Sequence, residues 1–535
     1  KGKADKKELL YTGFGTRDTH AVMSNLRWGM DGWVYMTIGY SGGQVKSADG
    51  KKDFGDVGSG FRRFRPDCSD LEQFCSKNGN TWGLDFRWDG ELFFSQANGN
   101  HINHVVIPER ILAAGKSGSA TSHKNIEDHK KTLPIRSYDK QAYVQIDHVG
   151  GFTAASGAAL YHGGAWPENW DGAFFVSEPT VNLVHHDVLK ADGVTFVASK
   201  DREAEFIAGV DLWFRPVDQR VGPDGAMYLL DFYNQAVVHN DTRGPVHGPA
   251  NAAVRPDRDH HFGRIWRVQH KQAKPLPMPN LAQASPVELA AALEHPNNWV
   301  RMTAHRLLEE RQAHDAAPAL EQLLISQKPA SARVHALWVL AKLGRVNDEK
   351  LSDIAESPDP ALVRNAMQIA AEKYTSGRFP PFMRVAIINW LKKETDPRSR
   401  LAALVALESM PFDKKITEAI VEAYPKLAHS WTQAAAHAVA TKKPADFIES
   451  AIYATNIVSG LEPLVTFAAG HIASKSDLGQ MVTAFIHVCL GPDSSGGLKE
   501  IVLDKFVREM KPEDAPPWSP ILENFIQKIL VDANP

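Results

Sequence analysis

Three short polar clusters hold the residue types and spacings best suited to chemistry. The first is Gly13-Phe14-Gly15-Thr16-Arg17-Asp18-Thr19-His20. An imidazole near its ordinary pKa accepts a proton at neutral pH, so His20, with Asp18 two positions away, is a candidate general base. The same segment also reads as a capped loop in which His20 merely satisfies backbone groups. Its glycines do not complete a GxGxxG and no helix pattern follows, which argues against a nucleotide loop. The second cluster is Gly79-Asn80-Thr81-Trp82-Gly83, whose hairpin ends in Ser95-Gln96-Ala97-Asn98-Gly99-Asn100-His101-Ile102-Asn103-His104. Its carbonyls and amides are hard-cation ligands of the kind calcium takes, although ordinary polar loops share that composition. The third is Trp213-Phe214-Arg215-Pro216-Val217-Asp218, with Asp231-Phe232-Tyr233-Asn234 beyond it. Arg215 offers a fork that fits a carboxylate ligand, and a structural pair with Asp218 is the alternative.

Two histidine runs, His185-His186-Asp187 and Asp259-His260-His261, are set aside. Adjacent side chains on a strand point to opposite faces, so neither run is expected to ligate one ion, and zinc is not expected. Cys68 and Cys75 lie close together in a turn-rich stretch, and Cys489 lies far away. A Cys68–Cys75 disulfide and two free thiols both remain open. There is no Cys-x-x-Cys-His, so the chain is not expected to attach a c-type haem.

The elements that must position these clusters are hairpins. Leu26-Arg27-Trp28-Gly29-Met30-Asp31-Gly32-Trp33-Val34-Tyr35 places an Asp-Gly turn between two short apolar-alternating runs. The arrangement returns at Asp89-Gly90, Asp171-Gly172 and Asp224-Gly225. Glycine accepts positive φ without steric penalty and aspartate tolerates it, which suits a tight strand-to-strand turn. Copies spaced roughly 50–80 residues apart, each with further strand-like runs, predict four-stranded blades of a β-propeller over residues 1–270. About four blades are visible. An open ring would expose strand edges, so N-terminal blades are expected to be missing from this chain or supplied by another polypeptide.

A proline-rich linker is expected over 271–282, where Lys274-Pro275-Leu276-Pro277-Met278-Pro279 falls. Beyond it, residues 283–535 are rich in Ala, Leu, Glu and Lys at helical spacing. Steps at Val300-Arg301-Met302, Ala332-Arg333-Val334, Pro360-Ala361-Leu362 and Pro397-Arg398-Ser399 repeat about every 31–36 residues. They predict an all-α, HEAT-like helical solenoid, whose concave face would take a protein partner.

Composition narrows the classes. The 535 residues are 43% hydrophobic and 23% charged, with a formal net charge of −3, so no global field draws the protein toward nucleic acid. No run of about 18 apolar residues occurs, so no membrane span is expected. The chain opens Lys1-Gly2-Lys3, without an initiator Met or the apolar stretch of a signal peptide, and a processed or incomplete start is expected.

Several motifs together resemble a known family. Gly13-Phe14-Gly15-Thr16, Asp18-Thr19-His20 and Leu26-Arg27-Trp28-Gly29 are similar to those of the large secreted dehydrogenase-like proteins of planctomycetes and verrucomicrobia. So are Arg215-Pro216-Val217-Asp218, Gly222-Pro223-Asp224-Gly225, Asp231-Phe232-Tyr233-Asn234 and Asp259-His260-His261-Phe262-Gly263-Arg264-Ile265-Trp266-Arg267-Val268. Those proteins join a propeller resembling soluble quinoprotein glucose and sorbosone dehydrogenases to HEAT-like repeats. The resemblance implies oxidation of a carbohydrate or small alcohol by pyrroloquinoline quinone (PQQ) with calcium, in the periplasm or outside the cell. It implies electrons passed to a cytochrome c. It makes His20 the base that takes the substrate hydroxyl proton, beside Asp18. Asn80 and Arg215 would contact the cofactor, and Arg17, Asp231 and Asn234 complete that expected set. Gln96 and Ala97 fall where backbone carbonyls would meet calcium. This chain departs from the pattern at Ala21, Gly79 and Val217, where relatives carry a second histidine and two cofactor arginines.

Two readings from other classes stand beside the oxidoreductase. One is a non-catalytic propeller–solenoid that binds glycan or protein partners in a larger assembly. The other is a propeller-type metal-dependent hydrolase or lactonase, which would need several acidic ligands around an axis.

Overall fold

The structure is a computed structural model that describes residues 4–18, 20–97, 99–115, 120–135, 150–234, 237, 261–374, 379–393, 396–454 and 459–509. The hairpins form where the Asp-Gly turns stand. Gly32, Gly90, Gly172 and Gly225 all take positive φ, between 73° and 92°. The Asp31-Gly32 turn joins Met23–Trp28 to Val34–Ile38 in antiparallel register. Asp89-Gly90 does the same for Asn80–Phe86 and Leu92–Ala97.

A recurring triad stiffens two of these hairpins. Asp31 accepts the Tyr35 hydroxyl at 2.7 Å and pairs with Arg63 at 3.0 Å from the neighbouring strand. Asp224 repeats this with Tyr228 at 3.1 Å and Arg267 at 2.8 Å. Tyr35 stands opposite Arg63, and Tyr228 opposite Arg267, so strand register alone places each arginine over its tyrosine.

The hairpins do not assemble as the propeller reading expected. The strands form five separate small antiparallel sheets, none closed, and no propeller closure is seen among the described residues. The sheets hold three, four, four, five and three strands. The Asp-Gly signature specifies a local reversal of the chain, and a local turn does not dictate how finished sheets associate. What joins the sheets is burial on both faces. Phe93 and Phe94, successive residues of one strand, enter two different cores, the first with Ile102, Phe152, Phe174 and Phe196, the second with Trp33, Phe61, Leu84 and Leu92. Phe174 and Phe175 divide in the same way, Phe175 packing with Trp166, Trp170 and Met227. A strand's side chains alternate faces, so continuous apolar runs are what a strand between two cores requires.

Helices occupy the expected arginine-bearing steps, at Asn298–Glu310, Ala330–Lys342, Pro360–Lys373 and Pro397–Ser409. Local chemistry starts them. Ser285 and Glu288 form a capping box, and Asp359 caps a helix whose first residue is Pro360. Helices follow the proline-rich stretch near 275, but the chain divides into compact units elsewhere. One unit comprises Lys1–Glu109 with Thr121–Asn347, and the other Arg110–Ala120 with Asp348–Pro535. Within the first unit, buried Asn297 shows why the first helices stay with the sheets. Its Oδ1 caps Asn298–Glu310 at the Trp299 amide, while its Nδ2 donates to the Gly222 carbonyl at 2.8 Å. Within the second, Gly115 ends a short helix against Ala434–Ala438, where an added Cβ would lie 1.8 Å from the Ala434 oxygen. All three cysteines are free, including Cys68 and Cys75. No described helix is long and apolar enough to cross a membrane.

Candidate functional site

The first two loops meet. Asp18 Oδ1 accepts the His20 amide at 2.9 Å and lies 3.4 Å from His20 Nδ1. Its second oxygen accepts the Tyr40 hydroxyl. Ser41 Oγ donates to the Asp18 carbonyl at 2.9 Å and accepts its amide at 3.1 Å. From the second loop, Asn80 Nδ2 and Trp82 Nε1 donate to the His20 carbonyl at 3.1 and 2.8 Å. The backbone around His20 is thus held from both sides, while its side chain stays 42% exposed. Asn80 is buried, and its Oδ1 has no hydrogen-bond partner. Arg17 reaches the Tyr40 carbonyl at 3.4 Å. Gln96 and Ala97 lie in the strand Leu92–Ala97, opposite Thr81 and Asn80 in the ladder.

The third loop is occupied differently. Arg215 is 1% exposed, and its guanidinium donates to the carbonyls of Pro179, Thr180 and Asn234 at 2.9, 3.1 and 3.1 Å. Asp231 accepts the Arg215 amide, the Tyr233 amide and Trp266 Nε1 at 2.8, 2.9 and 3.0 Å. The Asn234 amide donates to the Trp213 carbonyl. Asp218 pairs with Arg220 at 2.7 Å, the role the sequence reading had offered to Arg215. Arg215, Asp231 and Asn234 therefore form a network that fastens the backbone.

That network bears on PQQ. A quinone with three carboxylates needs cations facing its site. Arg215 is enclosed by carbonyls, Gly79 and Val217 bring no charge, and Arg17 is the arginine at the His20 loop. The residues present do not fit such a group.

A second cluster was missed from the sequence. His101 Nε2 lies 2.7 Å from Asp187 Oδ2, and His185 Nε2 lies 3.3 Å from Asp187 Oδ1. His129 Nε2 stands 3.0 Å from His185 Nε2 and 3.6 Å from Asp187 Oδ1. Outside this quartet, Asp128 holds His129 Nδ1 at 2.7 Å and Glu205 holds His185 Nδ1 at 2.6 Å. His101 stacks on Phe152 at 4.1 Å, and its Nδ1 is buried without a hydrogen-bond partner. Burial pushes His101 down to about 4. Burial opposes protonation of His185 too, but its bonds to Asp187 and Glu205 outweigh it and push that ring up to about 9.

The alternation rule that set this run aside holds and also reveals it. His186 does leave the cluster, packing against Trp170 and Phe175. His185 and Asp187, two apart on one strand, share the other face. A search for His-x-Asp at strand spacing would have found that half. His101 lay in a run read only for its amides, and His129 had no local signal. Asp259 and His260 lie outside the described residues.

Residues 1–272 match the family model described as a domain of unknown function, DUF7133. The chain belongs to that family. Both clusters of this DUF7133 protein, around His20 and around His185, fall inside the matched stretch. No curated protein matches the chain. Among solved structures, an engineered protein is 17% identical over 42% of this chain and 97% of its own, with a TM-score of 0.22. A designed armadillo repeat protein in complex with the peptide (KR)4 is 13% identical over 42% of this chain and all of its own, at 0.20. A catalytically inactive virginiamycin B lyase from Staphylococcus aureus, solved with quinupristin, is 12% identical over 51% of this chain and 75% of its own, at 0.21. Likenesses this slight carry neither fold nor function to the DUF7133 chain.

Proposed function

We propose that the loop carrying Asp18 and His20 is the reacting centre of an oxidoreductase for a sugar or related alcohol, with His20 taking the hydroxyl proton. One observation carries this reading. The loop is clamped by Ser41, Asn80 and Trp82, yet the imidazole it bears is 42% open to solvent. The resemblance to secreted dehydrogenase-like proteins supports the same substrate class, and with it a periplasmic or secreted setting. Asp18 orients the base, and Asn80 holds the backbone that carries it. The hydride of the alcohol carbon would leave to an external two-electron acceptor, and its electrons would pass on to a cytochrome c-type protein.

The test is dye reduction by the full chain with a panel of aldoses and small alcohols, with and without added PQQ and calcium. Turnover that falls by about 10²–10⁴ in His20→Ala supports the reading. No turnover with any substrate, or a His20→Ala rate equal to wild type, overturns it. The burial of Arg215 favours a second reading, in which the unit binds a glycan or protein partner without turning it over. Calorimetric binding of a sugar, abolished by Asn80→Ala and unaccompanied by dye reduction, selects that reading.

A further inference from the structure

We propose that His101, His129, His185 and Asp187 bind one divalent metal ion of the zinc class in a buried, four-ligand centre. This goes beyond the oxidoreductase reading and does not depend on it. Each residue offers one ligand atom, and the four atoms lie within 4.8 Å of one another. Among the described residues, this is the one group of three or more His, Cys, Asp or Glu side chains gathered in this way.

The distances suit a tetrahedral ion. Metal–ligand bonds of about 2.0–2.1 Å put the corners of a tetrahedron roughly 3.3 Å apart. His101 Nε2 lies 2.7 Å from Asp187 Oδ2, His185 and His129 Nε2 lie 3.3 and 3.6 Å from Asp187 Oδ1 and 3.0 Å from each other, and the four ligand atoms span at most 4.8 Å.

Proton placement makes the stronger argument. Asp128 and Glu205 are carboxylates, so each accepts a hydrogen bond from the Nδ1–H it touches. The nitrogen left on each ring is its Nε2. These two face each other at 3.0 Å, with the Asp187 carboxylate beside them. Three such groups converging on one point are held together by a cation there, a metal ion or a ring proton. A carboxylate on the far nitrogen of a ligating histidine is also the usual way such rings are oriented.

The donor chemistry selects the ion. Three imidazoles and one carboxylate, without thiolate, suit zinc or a neighbouring first-row divalent ion and disfavour copper(I). Side-chain exposure is 0% at His101 and Asp187, 1% at His185 and 16% at His129. Four protein ligands and this burial describe a closed centre, which holds structure rather than activating water. Here it would join the strand Asn100–Val105, the segment around His129 and the strand Leu183–Asp192.

The rival occupant of the same point is a proton, and the experiment separates the two. Full-length protein is stripped with a chelator, equilibrated with zinc alone, desalted and analysed for metal and thermal stability. In parallel, cobalt(II) replaces zinc and its visible bands are recorded. The expected result is one zinc per chain, a Tm that falls on stripping and recovers with zinc, and intense tetrahedral cobalt bands. His129→Ala, at the most exposed ligand, should lose at least tenfold in zinc affinity, whereas His186→Ala keeps wild-type affinity. If His129→Ala does not fold, Asp187→Asn and the wild-type cobalt spectrum decide. No retained zinc with a Tm indifferent to chelator, or unchanged affinity in both ligand variants, overturns the proposal and leaves a proton-linked network.

Discussion

Nε2 of His129 and Nε2 of His185 lie 3.0 Å apart, although each ring already has its other nitrogen held by a carboxylate. That pairing ties two chain segments together through their most polar atoms inside an otherwise apolar core. It also makes the outer carboxylates part of the site. Glu205→Gln keeps an acceptor near His185 Nδ1 but removes the charge that makes that ring a stronger ligand. A competitive titration against a chelating dye should show zinc affinity lower by about 10–100-fold, with secondary structure intact. Equal affinity would remove Glu205 from the centre.

The loop around His20 has its own tight point. A Cβ at Gly39 would lie 2.3 Å from Asn80 Oδ1 and 2.5 Å from the Ala21 Cα. Gly39→Ala must therefore displace the side chain that holds the His20 carbonyl, or the backbone beside it. Denaturant unfolding should register a loss of about 1–3 kcal/mol. Any sugar turnover should fall further than this loss of stability explains, because the base shifts with its loop.

The Asp–Tyr–Arg triads should differ in weight. Arg63 and Asp31 are 12% and 4% exposed, and Arg63 also stacks on Trp33 at 4.3 Å. Asp31→Ala removes one of the two carboxylates on a buried guanidinium, leaving Glu72 on its Nε, and should cost about 1–3 kcal/mol in urea unfolding. Arg267 stands half in solvent, at 51% exposure, so Asp224→Ala should cost far less. Equal losses would show that the two hairpins are not held by the burial of their ion pairs.

Glu178 predicts a pH dependence. Burial pushes its carboxyl up to about 7, although the Ala154 and Thr180 amides bond to it. The unfolded carboxyl ionises near 4.5, so between these values the folded state keeps a proton that the unfolded state has lost. Stability from this group is full below about 4.5 and is lost as pH rises through about 7, on the order of 3 kcal/mol in all. Buried His101, pushed down to about 4, titrates with the opposite sign, so the test is the difference: urea stability of wild type relative to Glu178→Gln should fall across that window.

Much of the local structure was legible because its causes are local. Aspartate and glycine at 31–32, 89–90, 171–172 and 224–225 turn the chain wherever they stand. Ser285 with Glu288, and Asp359 with Pro360, start helices by bonds within one turn. The clamp between His20 and Asn80 was half legible, since both loops precede hairpins, but the hydrogen bonds joining them span 60 and 62 residues.

What the sequence by itself determined, then, is where strands reverse and helices begin. Tertiary structure decided the rest. Five sheets stack through two-faced strands without closing a ring, because the shapes of buried faces, not the turns, choose the neighbours. Arg215 became a backbone clamp, because three carbonyls surround it only after folding. His101, His129 and His185 became one cluster, because the contacts that assemble it reach across 86 and 56 residues, far beyond the two-residue period that sorts side chains along a strand.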